Sequence, residues 1–391
     1  MSGPCSDAFE RLAREMGDFS CSGANPVLNV HDPFGLSNAT LPVIELAMIV
    51  GAALSLRHAL RRRRAGDPAG LAIWLGALVY LIIVEPPLYF PDSFGLEDQL
   101  GLIFVHNEFT VQFLWDRLPL YIVAVYPAMT YLAYELVRSV GVFERRGPFV
   151  SAICVGFVHQ CFYETFDHLG PQLRWWIWNP DAETNRPMLG SVPVSSMVIF
   201  SAIGPFAVTF LVRTLIARRI ETAGPLPAHT FAARVVAVGA LIPLFLFLGS
   251  VPASAFGLGD EPNHTAQAIT YSIELAAIGI TATIAIVQSW RHASQRDGDT
   301  AADRYVLTHG AIYLCAIGGL WIAALPDYAN AHRGLTDDGT PIGSLPYALA
   351  CFAASILFLT LVAARRRSPQ HDASLSEPQL TPNSKGGHLE R

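Results

Sequence analysis

Long apolar segments recur along this chain and set the strongest limit on its fold. About nine of them can be read from the sequence, at residues 41–60, 70–84, 118–137, 149–168, 192–216, 231–251, 266–290, 305–325 and 345–364. A helix needs about 20 apolar residues to cross a bilayer. Only 15% of the residues are charged, whereas soluble proteins average about 25%. The sequence therefore predicts an all-α polytopic membrane protein with about nine transmembrane helices, multi-pass in a bacterial plasma membrane.

Arginine residues follow every second apolar segment and predict the orientation. The first, third, fifth, seventh and ninth segments lead into Arg64, Arg146, Arg219, Arg296 and Arg367. The intervening loops are acidic and aromatic, with few arginines. Because basic residues stay on the cytoplasmic side, we expect the N-terminus outside and the C-terminus in the cytoplasm.

This arrangement divides the chain into three parts. Residues 1–40 are predicted to be a polar extracytoplasmic tail with one short amphipathic helix near residues 8–16. Residues 41–367 form the transmembrane helical domain, and residues 368–391, rich in Pro and Ser, are predicted to be a disordered cytoplasmic tail. Cys5 and Cys21 lie in the N-terminal tail, where an oxidising compartment would allow a disulfide. The sequence leaves that pairing open.

The stretch from His159 to Pro193 concentrates ionisable and aromatic residues at the end of an apolar segment. On a helix of about 100° per residue, five polar side chains fall on one side: His159, Gln160, Tyr163, Glu164 and Asp167. Val155, Val158, Phe162 and Leu169 fall on the other. An ionisable group inside a membrane is costly, so it marks a candidate functional site.

The residue types in this region suit acid–base chemistry on a lipophilic substrate. Six residues are candidates for catalysis: Glu164, Asp167, His159, Tyr163, Glu85 and Glu108. Four are candidates for substrate binding: Trp175, Trp176, Trp178 and His106. Burial among aromatic rings favours the protonated form of a carboxyl group, which can then protonate an alkene. Aromatic faces can stabilise the cation that forms.

Two alternatives remain for the same residues. His159, Asp167 and His168 could join His106 and Glu108 as nitrogen and oxygen ligands of a divalent metal ion. The HxxxH, HxxHH and HExxH patterns are absent from the sequence, so no cofactor is predicted. The WWIW run (175–178) is either an aromatic belt at the membrane interface or the wall of a substrate cavity. Residues 102–115 are expected to form an interfacial or re-entrant helix, or the start of the third span.

From Glu164 onward, the residue order E…D…WxW…P…GxVP…F forms a longer pattern. It consists of Glu164, Asp167, Trp176, Trp178, Pro187, Gly190, Val192, Pro193 and Phe200. Over residues 164–200 the chain resembles the polytopic carotenoid-biosynthesis membrane proteins of the bacterioruberin-hydratase type. The resemblance implies a hydratase that acts on a C=C bond of a long polyene or isoprenoid chain. It transfers no catalytic residue.

The leading interpretation is thus a membrane enzyme that acts on a lipophilic isoprenoid or polyene substrate, as a C=C hydratase or a cyclase. A transporter or ligand-binding protein that uses the same cluster is one alternative, and a structural or assembly protein is another. The expected partners are the lipid membrane and a lipophilic small molecule, and no nucleic acid. We further expect Glu85, His106 or Glu108, and His159 or Glu164 to meet around one outward-opening pocket.

Overall fold

Nine helices in the described part of the chain are long and apolar enough to cross a membrane. A computed structural model describes residues 5–179, 182–257, 261–293 and 300–367. The predicted tail at 368–391 lies outside these residues. The structure therefore confirms an all-α architecture for the described chain, with nine helices that could each cross a membrane.

Eleven helices are numbered here in chain order. They are α1 (Asp7–Gly17), α2 (Thr40–Arg64), α3 (Ala69–Tyr89), α4 (Leu96–Leu100), α5 (Leu120–Ser139), α6 (Pro148–Asp167), α7 (Val194–Ala223), α8 (Ala228–Ser254), α9 (His264–Ala293), α10 (Thr300–Asn330) and α11 (Leu345–Arg367). Seven short strands accompany them: β1 (Leu28–Val30), β2 (Phe104–His106), β3 (Val111–Phe113), β4 (Leu118–Pro119), β5 (Trp176–Trp178), β6 (Met188–Leu189) and β7 (Val192–Pro193).

Helices α5 and α6 form the centre of the bundle. Both are buried over most of their length, whereas α8 and α9 are largely exposed. The apolar face of α6 is buried as well, with Val155, Val158 and Phe162 almost inaccessible. That face therefore packs against other helices and does not contact lipid.

The second span continues through a proline pair that the sequence predicts to end it. Helix α3 includes Pro86 and Pro87 and ends at Tyr89. Proline fixes φ near its helical value and removes only its own N–H donor. Two prolines in the last turn therefore remove only two backbone hydrogen bonds from the helix. The extra turn places Glu85 and Tyr89 one above the other on the same helix face.

Residues 102–115, predicted to be helical, instead contain strands β2 and β3. Strand β2 pairs antiparallel with β5, and Phe104 lies opposite Trp178 and His106 opposite Trp176. Successive side chains of a strand point to opposite faces of the sheet. Val105 and Ile177 therefore pack against α1 on one face of this sheet. The aromatic and imidazole side chains lie on the other face and point into the helical bundle. Pairing of β2 with the distant strand β5 thus outweighs the local apolar pattern that predicted a helix.

The N-terminal residues, predicted to be a polar tail, fold into a small layer that we call the cap (residues 5–39). Its helix α1 matches the predicted amphipathic helix and buries Phe9, Leu12 and Met16 against β2 and β5. A disulfide joins Cys5 to Cys21, with their Cα atoms 6.2 Å apart. The Cys5 sulfur also accepts a hydrogen bond from the buried Arg117 guanidinium at 2.9 Å.

Loops at the two ends of the bundle form separate contact networks. On the side of the cap, Asn38 donates to the Leu173 carbonyl at 3.1 Å, and β1 pairs with β3. On the opposite side, which we call the arginine side, Arg62 and Arg138 both reach the Asp67 carboxylate, at 2.8 and 3.0 Å. The bundle therefore has one end covered by the cap and another rich in arginine.

Candidate functional site

A cavity of about 210 Å³ lies beneath the cap, among α3, α5, α6 and α7. Strands β2 and β5 form its roof. Its acidic, hydroxyl and imidazole lining comes from Glu85, Tyr89, His106, Tyr126, Tyr163, Asp167, Ser195 and Ser196. Five further aromatic side chains line the cavity: Phe104, Phe166, Trp176, Trp178 and Phe200. The cavity thus combines two carboxyl groups with a wall that is rich in aromatic side chains.

Glu85 occupies a hydrogen-bonded position in this cavity. Its side chain is buried, and the Tyr126 hydroxyl donates to its Oε1 atom. The Tyr89 hydroxyl, one helical turn further along α3, also reaches Glu85. A carboxylate oxygen that receives hydroxyl donors is placed to act as a proton acceptor.

His106 lies between two tyrosine hydroxyl groups. Its Nε2 atom is 3.1 Å from the Tyr89 hydroxyl, and its Nδ1 atom is 3.0 Å from the Tyr121 hydroxyl. Burial lowers the pKa of His106 to about 3, so the ring is neutral near pH 7. A neutral imidazole has one donor and one acceptor nitrogen, so it completes a hydrogen-bonded chain from Glu85 through Tyr89 to Tyr121.

The neutral His106 predicts a loss of stability on acidification. The unfolded chain binds a proton below a pH of about 6.5, while the folded chain resists it down to about 3. The contribution of His106 to the free energy of unfolding is therefore fully present above about pH 7. It declines as the pH falls from about 6.5 toward 3, by about 1.4 kcal/mol per pH unit. We expect the apparent melting temperature of the purified protein to fall between pH 7 and pH 5, and to fall less steeply in His106→Gln. Equal slopes in the two proteins would show that His106 does not contribute.

Asp167, the last residue of α6, is the second acid of the cavity. Its side chain is 2% exposed. Within the described part of the chain, its Oδ2 atom has no hydrogen-bond partner. Unlike Glu85, this carboxyl group has an oxygen with no donor among the described residues, so the two acids have different hydrogen-bonding environments.

Glu164, predicted to share the site, faces away from this cavity. Residues three apart on a helix differ by about 60° in direction, so Glu164 and Asp167 lie on adjacent faces of α6. The Oε2 atom of Glu164 lies 3.4 Å from Nε2 of His168. Burial lowers the pKa of His168 to about 4, and its Nδ1 atom accepts from the Ser344 backbone N–H at 3.2 Å. The neutral ring therefore carries its hydrogen on Nε2, toward Glu164.

Three other predicted site residues also lie outside the cavity. His159 lines a smaller adjoining cavity, and its Nδ1 atom is 2.7 Å from the Ser201 carbonyl oxygen. Trp175 is fully buried and donates to Thr40 Oγ1 at 2.9 Å, so it packs in the core and does not line this cavity. Glu108 lies near the cap surface, 3.8 Å from His31. Of the three groups expected to converge, Glu85 and His106 line the cavity, but neither His159 nor Glu164 does, so that part of the prediction is wrong. Tyr163 and Asp167 of the same helix line the cavity instead.

The residues considered as metal ligands do not gather in one place. A different group, His31, Glu108 and Asp116, brings its ligand atoms within 4.8 Å of one another. Burial raises the pKa of both carboxyl groups, and each nitrogen of His31 faces one of them. These atoms suit a divalent metal, but contacts of the imidazole ring with the two carboxyl groups account for the same geometry.

Tyrosines 89, 121 and 126 are the main site residues that the sequence analysis missed. Tyr89 lies beyond the proline pair, where the helix was expected to have ended. Tyr121 and Tyr126 lie on α5 in a run of apolar residues, where a tyrosine is a common packing residue. The four-residue spacing of Glu85 and Tyr89 was the one available signal.

Comparison with known proteins gives a family but no characterised relative. A family profile described as "Domain of unknown function (DUF7802)" matches residues 16–317. No curated protein and no solved structure matches the chain. The matched residues include the whole candidate cavity.

Proposed function

The chain belongs to the family of this domain of unknown function (DUF7802), and we propose that it is an integral membrane enzyme with a lipophilic, isoprenoid or polyene, substrate. The proposed chemistry is acid–base catalysis in the cavity beneath the cap. Addition of water to a C=C bond is the reaction we favour, in line with the resemblance over residues 164–200, and cyclisation is the second.

One observation carries this proposal: Glu85 and Asp167 line the same aromatic cavity in different hydrogen-bonding environments. Glu85 receives hydroxyl donors, which suits a proton acceptor. Asp167 has an oxygen with no donor among the described residues, which suits a proton donor. A pair of titratable groups in contrasting environments is a common basis for assigning acid and base roles.

The wall of the cavity suits a cationic intermediate. Trp176, Trp178, Phe104 and Phe166 present aromatic rings to the same space. An aromatic face attracts positive charge, and the attraction grows when water is excluded. In the proposed step, Asp167 transfers its proton to one alkene carbon and leaves a cation at the other. In a hydratase, water then adds to the cation and loses a proton. In a cyclase, a second alkene attacks the cation, and the new cation that results loses a proton.

The size of the cavity limits how much of the substrate it holds. Pockets for drug-sized ligands measure about 300–1,000 Å³, and this cavity of about 210 Å³ is smaller. It therefore accommodates one end or one short section of a long chain. The rest of a lipophilic substrate would lie in the surrounding bilayer.

The side of the membrane is part of the proposal. We place the cap outside and the arginine side in the cytoplasm of a plasma membrane, following the distribution of arginine. The Cys5–Cys21 disulfide supports this orientation because disulfides persist in oxidising compartments.

Reporter fusions test this topology. Fusions after Arg64, Arg146, Arg219, Arg296 and Arg367 are each expected to report the cytoplasm, and fusions after Phe90 and Asn179 the outside. Each site follows a span end at which the proposed alternation fixes the side. Two or more of the arginine-side fusions reporting the outside would contradict the orientation.

A second candidate function is transport, and a separate buried cluster favours it. His58 and Tyr131 are 2.9 Å apart, and Tyr305 and His309 are 3.0 Å apart. The rings of His58 and Tyr305 stack at 4.5 Å. This cluster, together with the cavity beneath the cap, would place titratable groups in two parts of the bundle, as a proton-coupled transporter requires.

Lipid extracts distinguish these candidates. We expect a strain without the gene to accumulate a lipophilic precursor that the wild-type strain converts. A hydratase predicts that precursor and product differ by the mass of one water, whereas a cyclase predicts equal masses. Identical extracts, with the protein demonstrably present in the wild type, would contradict the enzyme proposal and favour transport or binding.

A further inference from the structure

A second, smaller cavity of about 30 Å³ adjoins the candidate site. The two cavities share Val125, Tyr126, Tyr163 and Phe200 in their walls. The rest of the lining of the smaller cavity comes from Tyr80, Thr130, His159 and Pro205. A site of about 10–15 Å³ is enough for one water molecule, so there is room here for about two.

The Tyr80 hydroxyl is an unsatisfied polar group in this small cavity. Tyr80 is 4% exposed, and its hydroxyl has no hydrogen-bond partner among the described residues. It lies against Gly204, where an added Cβ would be 3.0 Å from the hydroxyl oxygen. A buried hydroxyl without a partner is costly, and an ordered water is the common way to satisfy it.

The orientation of His159 follows from a proline on α7. Regular α-helical bonding would pair the Ser201 carbonyl with the N–H of residue 205, which is Pro205 and has none. Residues Ile199–Ile203 form a π-helical segment at this point, and the Ser201 carbonyl accepts from His159 Nδ1 at 2.7 Å. Because a carbonyl only accepts, Nδ1 carries the hydrogen, and Nε2 of the neutral ring is left as a proton acceptor.

We propose that the small cavity binds the water molecule that is the second substrate of the enzyme, with Tyr80 holding it and His159 Nε2 accepting its proton. This inference rests on the proposed hydratase function. Asp167 gives a proton to the alkene, the water oxygen forms the new C–O bond, and the proton lost from that water passes to His159. In hydration His159 is thus the first proton acceptor, and Glu85 keeps that role for the alternative cyclisation. Transfer of one proton from His159 back to Asp167 through solvent completes the addition of H₂O, without any oxidant or cofactor.

The water site can be tested without knowing the lipid substrate. In Tyr80→Phe, a hydroxyl that binds water loses that bond, so we expect the apparent melting temperature to fall. In a dry cavity the same change removes an unsatisfied hydroxyl, and the melting temperature would rise. Thr209→Val is the matched control, because Thr209 is fully buried, its hydroxyl has no partner among the described residues, and it lines neither cavity. A rise or no change in Tyr80→Phe would overturn the water site.

The role of His159 needs a separate measurement. His159→Asn keeps an N–H donor at the position of Nδ1, so it can still donate to the Ser201 carbonyl, but it has no ring nitrogen to take up a proton. We expect conversion of the lipid precursor to fall by about 10²-fold or more, with a change in its pH profile. Unchanged conversion would overturn the proton-acceptor role. If Tyr80→Phe loses stability as expected while wild-type and deletion extracts are identical, the water site stands and the proposed function fails.

Discussion

Replacing Asp167 by Asn is expected to abolish conversion of the lipophilic precursor while the protein remains folded and inserted. The amide has nearly the same shape as the carboxyl group but cannot supply the proton. General acid catalysis contributes about 10²–10⁴-fold to a rate, so the precursor should accumulate as it does in the deletion strain. Mass spectrometry of extracts, with protein levels checked in the same membranes, measures this effect.

Two carboxyl groups provide matched controls for Asp167. Glu164→Gln changes a neighbouring acid on the same helix that points away from the cavity, and Asp327→Asn makes the same chemical change at an exposed position on α10. We expect much smaller effects on conversion from both. If Glu164→Gln abolished conversion and Asp167→Asn did not, the placement of the acid in the cavity beneath the cap would be wrong.

Replacing Gly170 by Ala is expected to have the largest effect on the roof of the cavity. An added Cβ at this position would overlap the indole ring of Trp176. Trp176 is 3% exposed and lines the cavity, so it has little space to move aside. Overpacking a buried site typically costs about 1–3 kcal/mol, sometimes more. We expect a clear fall in apparent melting temperature and a loss of lipid conversion.

Gly319→Ala is the control for this change. Gly319 lies in the interior of α10, is exposed, and has nothing within 4 Å of an added Cβ. Alanine favours a helix over glycine by about 1 kcal/mol, so this variant should be as stable as the wild type or more so. Equal melting temperatures for the two variants would show that Trp176 can be displaced without cost.

The nine long apolar helices of the described chain were predictable because the length of an apolar segment determines them almost alone. The predicted third and fourth spans, 118–137 and 149–168, differ by at most two residues from Leu120–Ser139 and Pro148–Asp167. Pro148 marks the start of α6 in the sequence itself, since proline is favoured in the first helical turn. No long-range contact is needed to locate such segments.

The cavity was harder to predict because it depends on pairing between distant parts of the chain. The apolar pattern of residues 102–115 predicts a helix, but in the structure this segment contains β2, which pairs with the distant strand β5. The helical pattern placed Glu164 and Asp167 together, but only the position of α3 and α5 shows which of them faces Glu85. Trp175 and Trp176 are neighbours in sequence, yet one packs in the core and the other lines the cavity.

A purified-protein assay tests the central claim most directly. The protein would be incubated in detergent or lipid vesicles with the lipophilic extract of the deletion strain, and the extract followed by mass spectrometry. We predict that the wild-type protein converts a polyene or isoprenoid compound to a product heavier by one water or to a cyclic isomer, and that Asp167→Asn does not. An extract unchanged by folded wild-type protein, or converted equally by both proteins, would contradict the proposal that the cavity of Glu85 and Asp167 is an acid–base active site.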